Sequence, residues 1–293
     1  MVKFAVVFLA VAGCSIFKPF PKPTSQEPIA APALPPLHDL PQKPSATSDD
    51  GSRLFKMRLG DVGAWLYAPP SSLKPDAKLP AVLIAPAGSD LLTGMNLSDD
   101  DRPEHLPYLD AGFVVLAYEL PGKDSTQTFA ASNAGLDNGR AALEFLRAKV
   151  PFVDEGRIFT AGHSSAADAA LLLAAHEPSL AGVTIYNSAG EGCWFQSDSL
   201  LKLYSREVNN LEQFCLRTHA ASHVAHLNVP AFLFSSEADN IVPAGRVRQL
   251  AASIEARGVD LTLQVSTEGD HYQSMVSTGI PSAIDWMLKR GAL

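Results

Sequence analysis

Residues 52–293 are expected to form an α/β domain, a mostly parallel sheet with helices on both faces. Three observations carry this expectation. A-V-L-I-A at 81–85 and G-F-V-V-L-A-Y at 112–118 are unbroken apolar runs, the pattern of strands buried on both sides. Helical patterns alternate with such runs, as at 133–150 and 165–176. Strands that alternate with helices are joined by crossovers, and crossovers cover both faces of the sheet.

The elements follow in order. Leu54–Leu59 and Ala64–Tyr67 read as two short strands around the turn G-D-V-G at 60–63. The run at 81–85 is bounded by Pro80 and Pro86, and residues 104–111 supply a helical turn or two before the strand at 112–118. R-I-F-T-A at 157–161 is the next strand and leads into the Ala/Leu-rich helix 165–176. Later strands are V-T-I-Y at 183–186, A-F-L-F at 231–234 and L-T-L-Q-V at 261–265, and later helices are 246–257 and 281–290. Gly258 and Gly291 stand where glycines end helices. Residues 189–228 interrupt the alternation and read as an insertion or small cap, with Trp194 and Phe195 as candidate pocket walls.

Composition narrows the function. The chain has 293 residues, 46% hydrophobic and 18% charged, with a net charge of −8 and no dense Lys/Arg cluster, which argues against a nucleic-acid partner. The N-terminus carries Lys3, a short apolar run and small residues, the pattern of a secretory signal, and the run is too short to span a bilayer. Its end, Val11-Ala12-Gly13-Cys14, resembles the lipobox of bacterial lipoproteins. That resemblance implies a signal peptide over 1–13, cleavage before Cys14 and lipid on the Cys14 thiol and new amino group. Several acyl chains give lasting membrane attachment where one is marginal. The non-acidic Ser15, by resemblance to sorting preferences, favours the outer membrane, facing the periplasm or the exterior. Residues 14–51 read as a stiff proline-rich tether, since 15–50 hold nine of the 22 prolines. With Cys14 assigned to lipid, Cys193 and Cys215 remain as an even pair, and an oxidising compartment makes a disulfide between them the expectation.

The stretch T-A-G-H-S-S-A at 160–166 carries the chemistry. It lies between a strand and a helix and fits G-x-S-x-G, with Ala166 in place of the last glycine. A serine on such a sharp turn projects its hydroxyl free of neighbours, and the next backbone N–H points at a developing oxyanion. Ser164 is then the nucleophile and Ser165 a backbone donor; Ser165 as nucleophile would shift the turn by one residue and lose the flanking glycine. Ser164 could also be a helix N-cap with no chemistry. His163 is expected to point away from the pocket and pack. A serine needs a base, and the base an orienting carboxylate. E-A-D-N-I-V-P places Asp239 after one strand and G-D-H-Y places His271 after the next, both at the strand ends where Ser164 lies, with Glu237 as reserve acid.

These pieces together, with V-L-I-A-P-A-G-S at 82–89, resemble the α/β-hydrolase superfamily, nearest its dienelactone hydrolase and prolyl-oligopeptidase-like branches, over about 54–290. The resemblance implies an α/β-hydrolase fold and a serine hydrolase with no cofactor and no metal. In it Ser164 attacks, His271 acts as general base then acid, and Asp239 orients the imidazole. Its substrate would be a small ester or a peptide. A second oxyanion donor should come from Gly88 or Ser89, although the His-Gly-Gly common in the superfamily is replaced here by Pro86-Ala87-Gly88.

Rival readings remain. A peptidase of the same fold and a catalytically silent surface-binding lipoprotein both fit the sequence. Cys215, His219, His223 and His226, spaced 4, 4 and 3, would share one helix face and offer zinc- or copper-type ligands, against a reading as helix packing. The run Ser98-Asp99-Asp100-Asp101 could attract Ca2+ or be a solvated loop.

Overall fold

The computed structural model describes residues 26–88, 94–120, 131–195, 202, 204–206 and 208–290. One nine-stranded sheet organises them, in the order β1-β2-β3-β5-β4-β6-β7-β8-β9. Its strands are β1 Ala46–Thr47, β2 Arg53–Leu59, β3 Val62–Ala68, β4 Leu79–Ile84, β5 Val114–Tyr118, β6 Val153–His163, β7 Gly182–Tyr186, β8 Ala231–Ser236 and β9 Leu261–Ser266. The first strands run antiparallel up to the β3–β5 pair, and β5-β4-β6-β7-β8-β9 are all parallel. Every residue of β5, β7 and β8 is buried, as the unbroken apolar runs require.

The α-helices whose bounds are described are α1 Arg102–Asp110, α2 Leu136–Lys149, α3 Ser165–His176, α4 Leu211–Arg217, α5 Ala244–Glu255 and α6 Ile280–Arg290. On one face of the sheet the core gathers Leu143 and Leu146 of α2, Leu171 and Leu173 of α3 and Leu250 of α5. On the other, α1 and α6 bring Tyr108, Trp286 and Met287 against Phe113, Phe159 and Phe232. Among the described residues no helix is long and apolar enough to cross a membrane.

Helix α1 is longer than the turn or two expected at 104–111. Pro107 argues against a helix there, but the acidic run supplies a start. Ser98 and Asp101 form a capping box in which the Asp101 carboxylate accepts from the Ser98 N–H at 2.7 Å. Asp99 pairs with Arg102 at 3.0 Å. These carboxylates are thus used to begin a helix. Strand β6 is also longer than expected, because β4 pairs with it from Val153 and β7 carries the pairing on to His163.

The proline-rich segment read as a tether lies on the domain from residue 26 onward. Ile29 is buried, and β1 joins the sheet edge by pairing with β2. Arg140 of α2 holds the segment. Its guanidinium donates to the carbonyls of Ile29 and Ala30 at 2.9 and 3.2 Å while pairing with Glu177 at 3.0 Å and Asp137 at 3.5 Å. The stretch 189–228 likewise packs into the main core through Cys193, Phe214, Cys215, Ala220 and Val224. Cys193 and Cys215 form a disulfide, Cα to Cα 5.5 Å.

Removing one member of a buried charge cluster leaves the others uncompensated. Arg140→Leu is expected to lower the unfolding free energy by about 3 kcal/mol in urea denaturation, because Asp137 and Glu177 lose their cation.

Candidate active site

The turn after β6 carries the two serines singled out in the sequence. Ser164 has φ 52° and ψ −123°, a conformation that a non-glycine residue adopts only under constraint. Gly162 makes it possible: a Cβ there would lie 2.4 Å from the Ala166 carbonyl oxygen and 2.7 Å from Ala167 Cα. Ala166 in the second glycine position is fully buried and accommodated. The turn is fixed on both sides, since the Ser164 N–H donates to the Tyr186 carbonyl at 3.0 Å and the Ala167 N–H donates to the Ser164 carbonyl at 3.1 Å. Ser164 is therefore the residue at the apex, and Ser165 is the first residue of α3.

The loops after β8 and β9 bring Asp239 and His271 together. His271 Nδ1 bonds Asp239 Oδ2 at 2.7 Å. The other carboxylate oxygen accepts the Ile241 and Val242 N–H groups at 2.8 and 2.9 Å. Burial pushes the Asp239 carboxyl up, but the bonds from His271 and these two N–H groups outweigh it and hold the group below its usual value. Asp239 thus stays ionised and keeps the proton of the neutral ring on Nδ1, leaving Nε2 as the basic nitrogen. Among the described residues no hydrogen bond joins Ser164 to His271; such contacts are often long without substrate and tighten when it binds. Glu237, the reserve acid, is half-exposed and paired with Arg248.

Two further groups hold the histidine by its backbone. His163 Nε2 donates to the His271 carbonyl at 3.0 Å and Asn187 Nδ2 donates to the same oxygen at 2.6 Å. Asn187 sits just past β7 with φ 50° and also reaches Ser274 Oγ at 3.2 Å. Ser236 Oγ, at the end of β8, donates to the Gly269 carbonyl at 2.6 Å. His163 is buried as expected, but it is more than packing. Asn187 was invisible in the sequence; an Asn following a buried strand is the only signal for it.

The expected oxyanion donors are placed differently from one another. The Gly88 N–H donates to Ser165 Oγ at 3.0 Å, so the second serine of the pair ties the β4 loop to the elbow. Ser89 lies outside the described residues, as do Cys14, the signal segment and Gly291. The backbone of Trp194 and Phe195 forms part of a short 3-10 turn, Gly192–Phe195, and their side chains lie outside the description.

The rival metal set does not assemble. Helix α4 ends at Arg217 and a separate 3-10 segment, Ala220–His226, follows, so the four residues do not share one helix face. Cys215 is in the disulfide, His219 Nδ1 bonds Ser222 Oγ at 2.7 Å, and His223 and His226 donate to the carbonyls of Arg217 and Gln26, each at 2.6 Å. Among the described residues no group of three or more His, Cys, Asp or Glu side chains could hold a metal ion.

Comparison with known proteins agrees with this architecture. No family model matches the chain, and no curated protein matches it in sequence. Solved structures do. Acetyl xylan esterase 1 from Thermoanaerobacterium sp. is 17% identical with a TM-score of 0.59, over 85% of this chain and 86% of that one. Esterase 2 from Thermogutta terrifontis, in a butyrate-bound structure, is 17% identical with a TM-score of 0.58, over 83% and 95%. Dipeptidyl peptidase 4 from Porphyromonas gingivalis is 12% identical with a TM-score of 0.64 over 82% of this chain, which spans only 35% of that protein. The protein has the α/β-hydrolase fold.

The close approach at the elbow gives a direct check. Gly162→Ala is expected to cost about 1–3 kcal/mol by chemical denaturation, since helix and strand backbones, rather than a flexible side chain, must move apart.

Proposed function

We propose that the protein is a serine hydrolase that cleaves a carboxylic ester through an acyl-enzyme on Ser164. The observation that carries this reading is the pairing of His271 Nδ1 with Asp239 at 2.7 Å beside the constrained turn at Ser164. His271 Nε2 would take the Ser164 proton as Oγ attacks the carbonyl carbon, then return it to the leaving alcohol. Water would repeat the sequence to release the acid. The Ser165 N–H, at the first position of α3, would donate to the oxyanion. This chemistry calls on no cofactor.

An ester is favoured over a peptide bond by the extent of the likenesses. The proteins matched along most of their own length, at 86% and 95%, are named esterases, while the peptidase is matched over a third of its length. The Cys193–Cys215 disulfide supports a compartment outside the cytoplasm. With Val11-Ala12-Gly13-Cys14, this supports a lipoprotein of the bacterial envelope, anchored through Cys14 and sorted to the outer membrane.

The catalytic reading is tested by treating the purified protein with a fluorophosphonate and mapping the modified peptide. The label is expected on Ser164 and absent from His271→Ala, and Ser164→Ala is expected to lower kcat/KM on a p-nitrophenyl ester by about 10^4-fold or more. Label on Ser165 would move the nucleophile by one residue, and an unlabelled native protein would sink the proposal in favour of a silent binding protein.

The anchor is tested separately by fractionating cells that express the full chain. Wild type is expected in the membrane fraction and Cys14→Ala outside it. Equal distribution of the two would remove the lipoprotein reading.

A further inference from the structure

A second carboxyl–imidazole pair lies directly beneath the triad, on the sheet face that α1 and α6 cover. His163 Nδ1 is 3.9 Å from Glu104 Oε1. Both side chains are buried, and His163 Nδ1 has no hydrogen-bond partner among the described residues. The two groups border a cavity of about 10 Å³ together with Ile84, Tyr108, Tyr186 and Met275, about the room one water needs. The other nitrogen of the same ring donates to the backbone carbonyl of His271, and the two imidazole rings lie 4.7 Å apart.

Resting on the serine-hydrolase reading, we propose that Glu104 and His163 form a positioning pair for the catalytic base. The Glu104 carboxyl donates to His163 Nδ1 through one water in the cavity they share, and so holds Nε2–H on the His271 carbonyl.

The protonation states suit this arrangement. Donation from Nε2 requires that tautomer, which leaves Nδ1 as an acceptor. Burial, aided by the Asp101 charge, pushes the Glu104 carboxyl up to about 8, so it carries a proton at neutral pH and can donate. Burial and the charge of His271 push His163 down to about 3, so its ring stays neutral. A buried carboxylic acid and a buried imidazole lone pair are complementary, and each would be costly unpaired. The other ionisable groups around Glu104 are Asp101 just before α1, Tyr108 from α1, Tyr186 from β7 and Tyr272 after β9. Asp239 and His271 lie on the far side of His163. The three tyrosines are held above their ordinary value by burial and stay neutral while Glu104 titrates.

The hydrogen bond from His163 to the base goes to its backbone carbonyl, so its loss should misplace the imidazole and spare substrate binding. The test is steady-state turnover of p-nitrophenyl butyrate from pH 6 to 10. Glu104→Leu and His163→Leu are expected to lower kcat by about 10- to 100-fold with KM within about twofold, as a small misplacement of a catalytic group does. Glu104→Gln, whose amide can still donate to Nδ1, is expected to recover most of that loss at pH 7. Wild type is expected to lose kcat as pH rises through about 8, where Glu104 gives up the proton it donates, and Glu104→Gln should lack this limb.

Leucine variants with wild-type kcat, or a Glu104→Gln profile with an unchanged alkaline limb, overturn the positioning pair while leaving the triad intact. If the leucine variants do not fold, the Glu104→Gln profile decides alone. A wild-type protein that neither turns over ester nor takes up fluorophosphonate removes the serine-hydrolase reading, and this pair with it.

Discussion

The backbone at Ser164 is held in a conformation that costs on the order of 1–3 kcal/mol, and the surrounding structure is arranged to hold it there. β6 is paired on both sides to Ala161 and by β7 as far as His163, so the strand cannot shift to relieve it. The Tyr186 carbonyl accepts the Ser164 N–H, and the Ala-rich start of α3 is buried against the sheet. Gly162 lets the two backbones approach within a distance that any side chain would forbid. Once the turn is fixed, neighbouring residues become anchors for other loops. Ser165 takes the β4 loop through Gly88, Tyr186 leads into Asn187, and His163 reaches the loop after β9.

This explains why a site drawn from three separate loops is coherent. Parallel strands deliver their carboxyl ends to one edge, which puts Ser164, Asp239 and His271 on the same side of the sheet. Strand order alone sets such positions only coarsely, and a general base must be placed within a hydrogen-bond length. The finer placement of His271 comes from two directions. Asp239 fixes the ring through Nδ1, while His163 and Asn187 fix the main chain through one carbonyl oxygen. The ring is thereby oriented from the β8 side and the backbone from the β6 and β7 side, so that rotation and translation are constrained by different groups.

Much of this was legible in the sequence, for a reason particular to buried parallel strands. The apolar runs at 81–85 and 112–118 have few alternative readings, and the turn chemistry of G-H-S-S-A is specific once a strand and a helix flank it. Asp239 and His271 were found because each follows its own strand. What was not legible depended on contacts distant in sequence. Nothing near Asn187 announces that it will meet His271, 84 residues away, and nothing near Glu104 announces His163. The turn or two expected at 104–111 fell short of α1, whose start follows the Ser98–Asp101 cap. The regular spacing of Cys215, His219, His223 and His226 suggested a shared helix face, but a helix end at Arg217 separates the first residue from the rest. The proline content of 15–50 announced extended chain but not the anchors, Arg140 and the buried Ile29, by which part of it lies along the domain.

The polar groups beneath the Asp239–His271 pair are hard to explain by folding alone. The sheet face under α1 and α6 is otherwise aromatic and aliphatic, from Phe113 to Trp286. Within it sit Glu104, His163 and the hydrogen-bonded hydroxyls of Tyr108 and Tyr186. A carboxyl group that must keep its proton at neutral pH adds little to stability that a well-packed leucine would not, and buried ionisable groups are commonly costly unless fully paired. Groups with strongly displaced protonation equilibria gather where chemistry is done. Here they lie on the opposite face of the turn that presents Ser164, joined to His271 by a single imidazole. That imidazole belongs to His163, the residue immediately before Ser164, so one strand end carries both the constrained turn and a hydrogen bond to the His271 main chain.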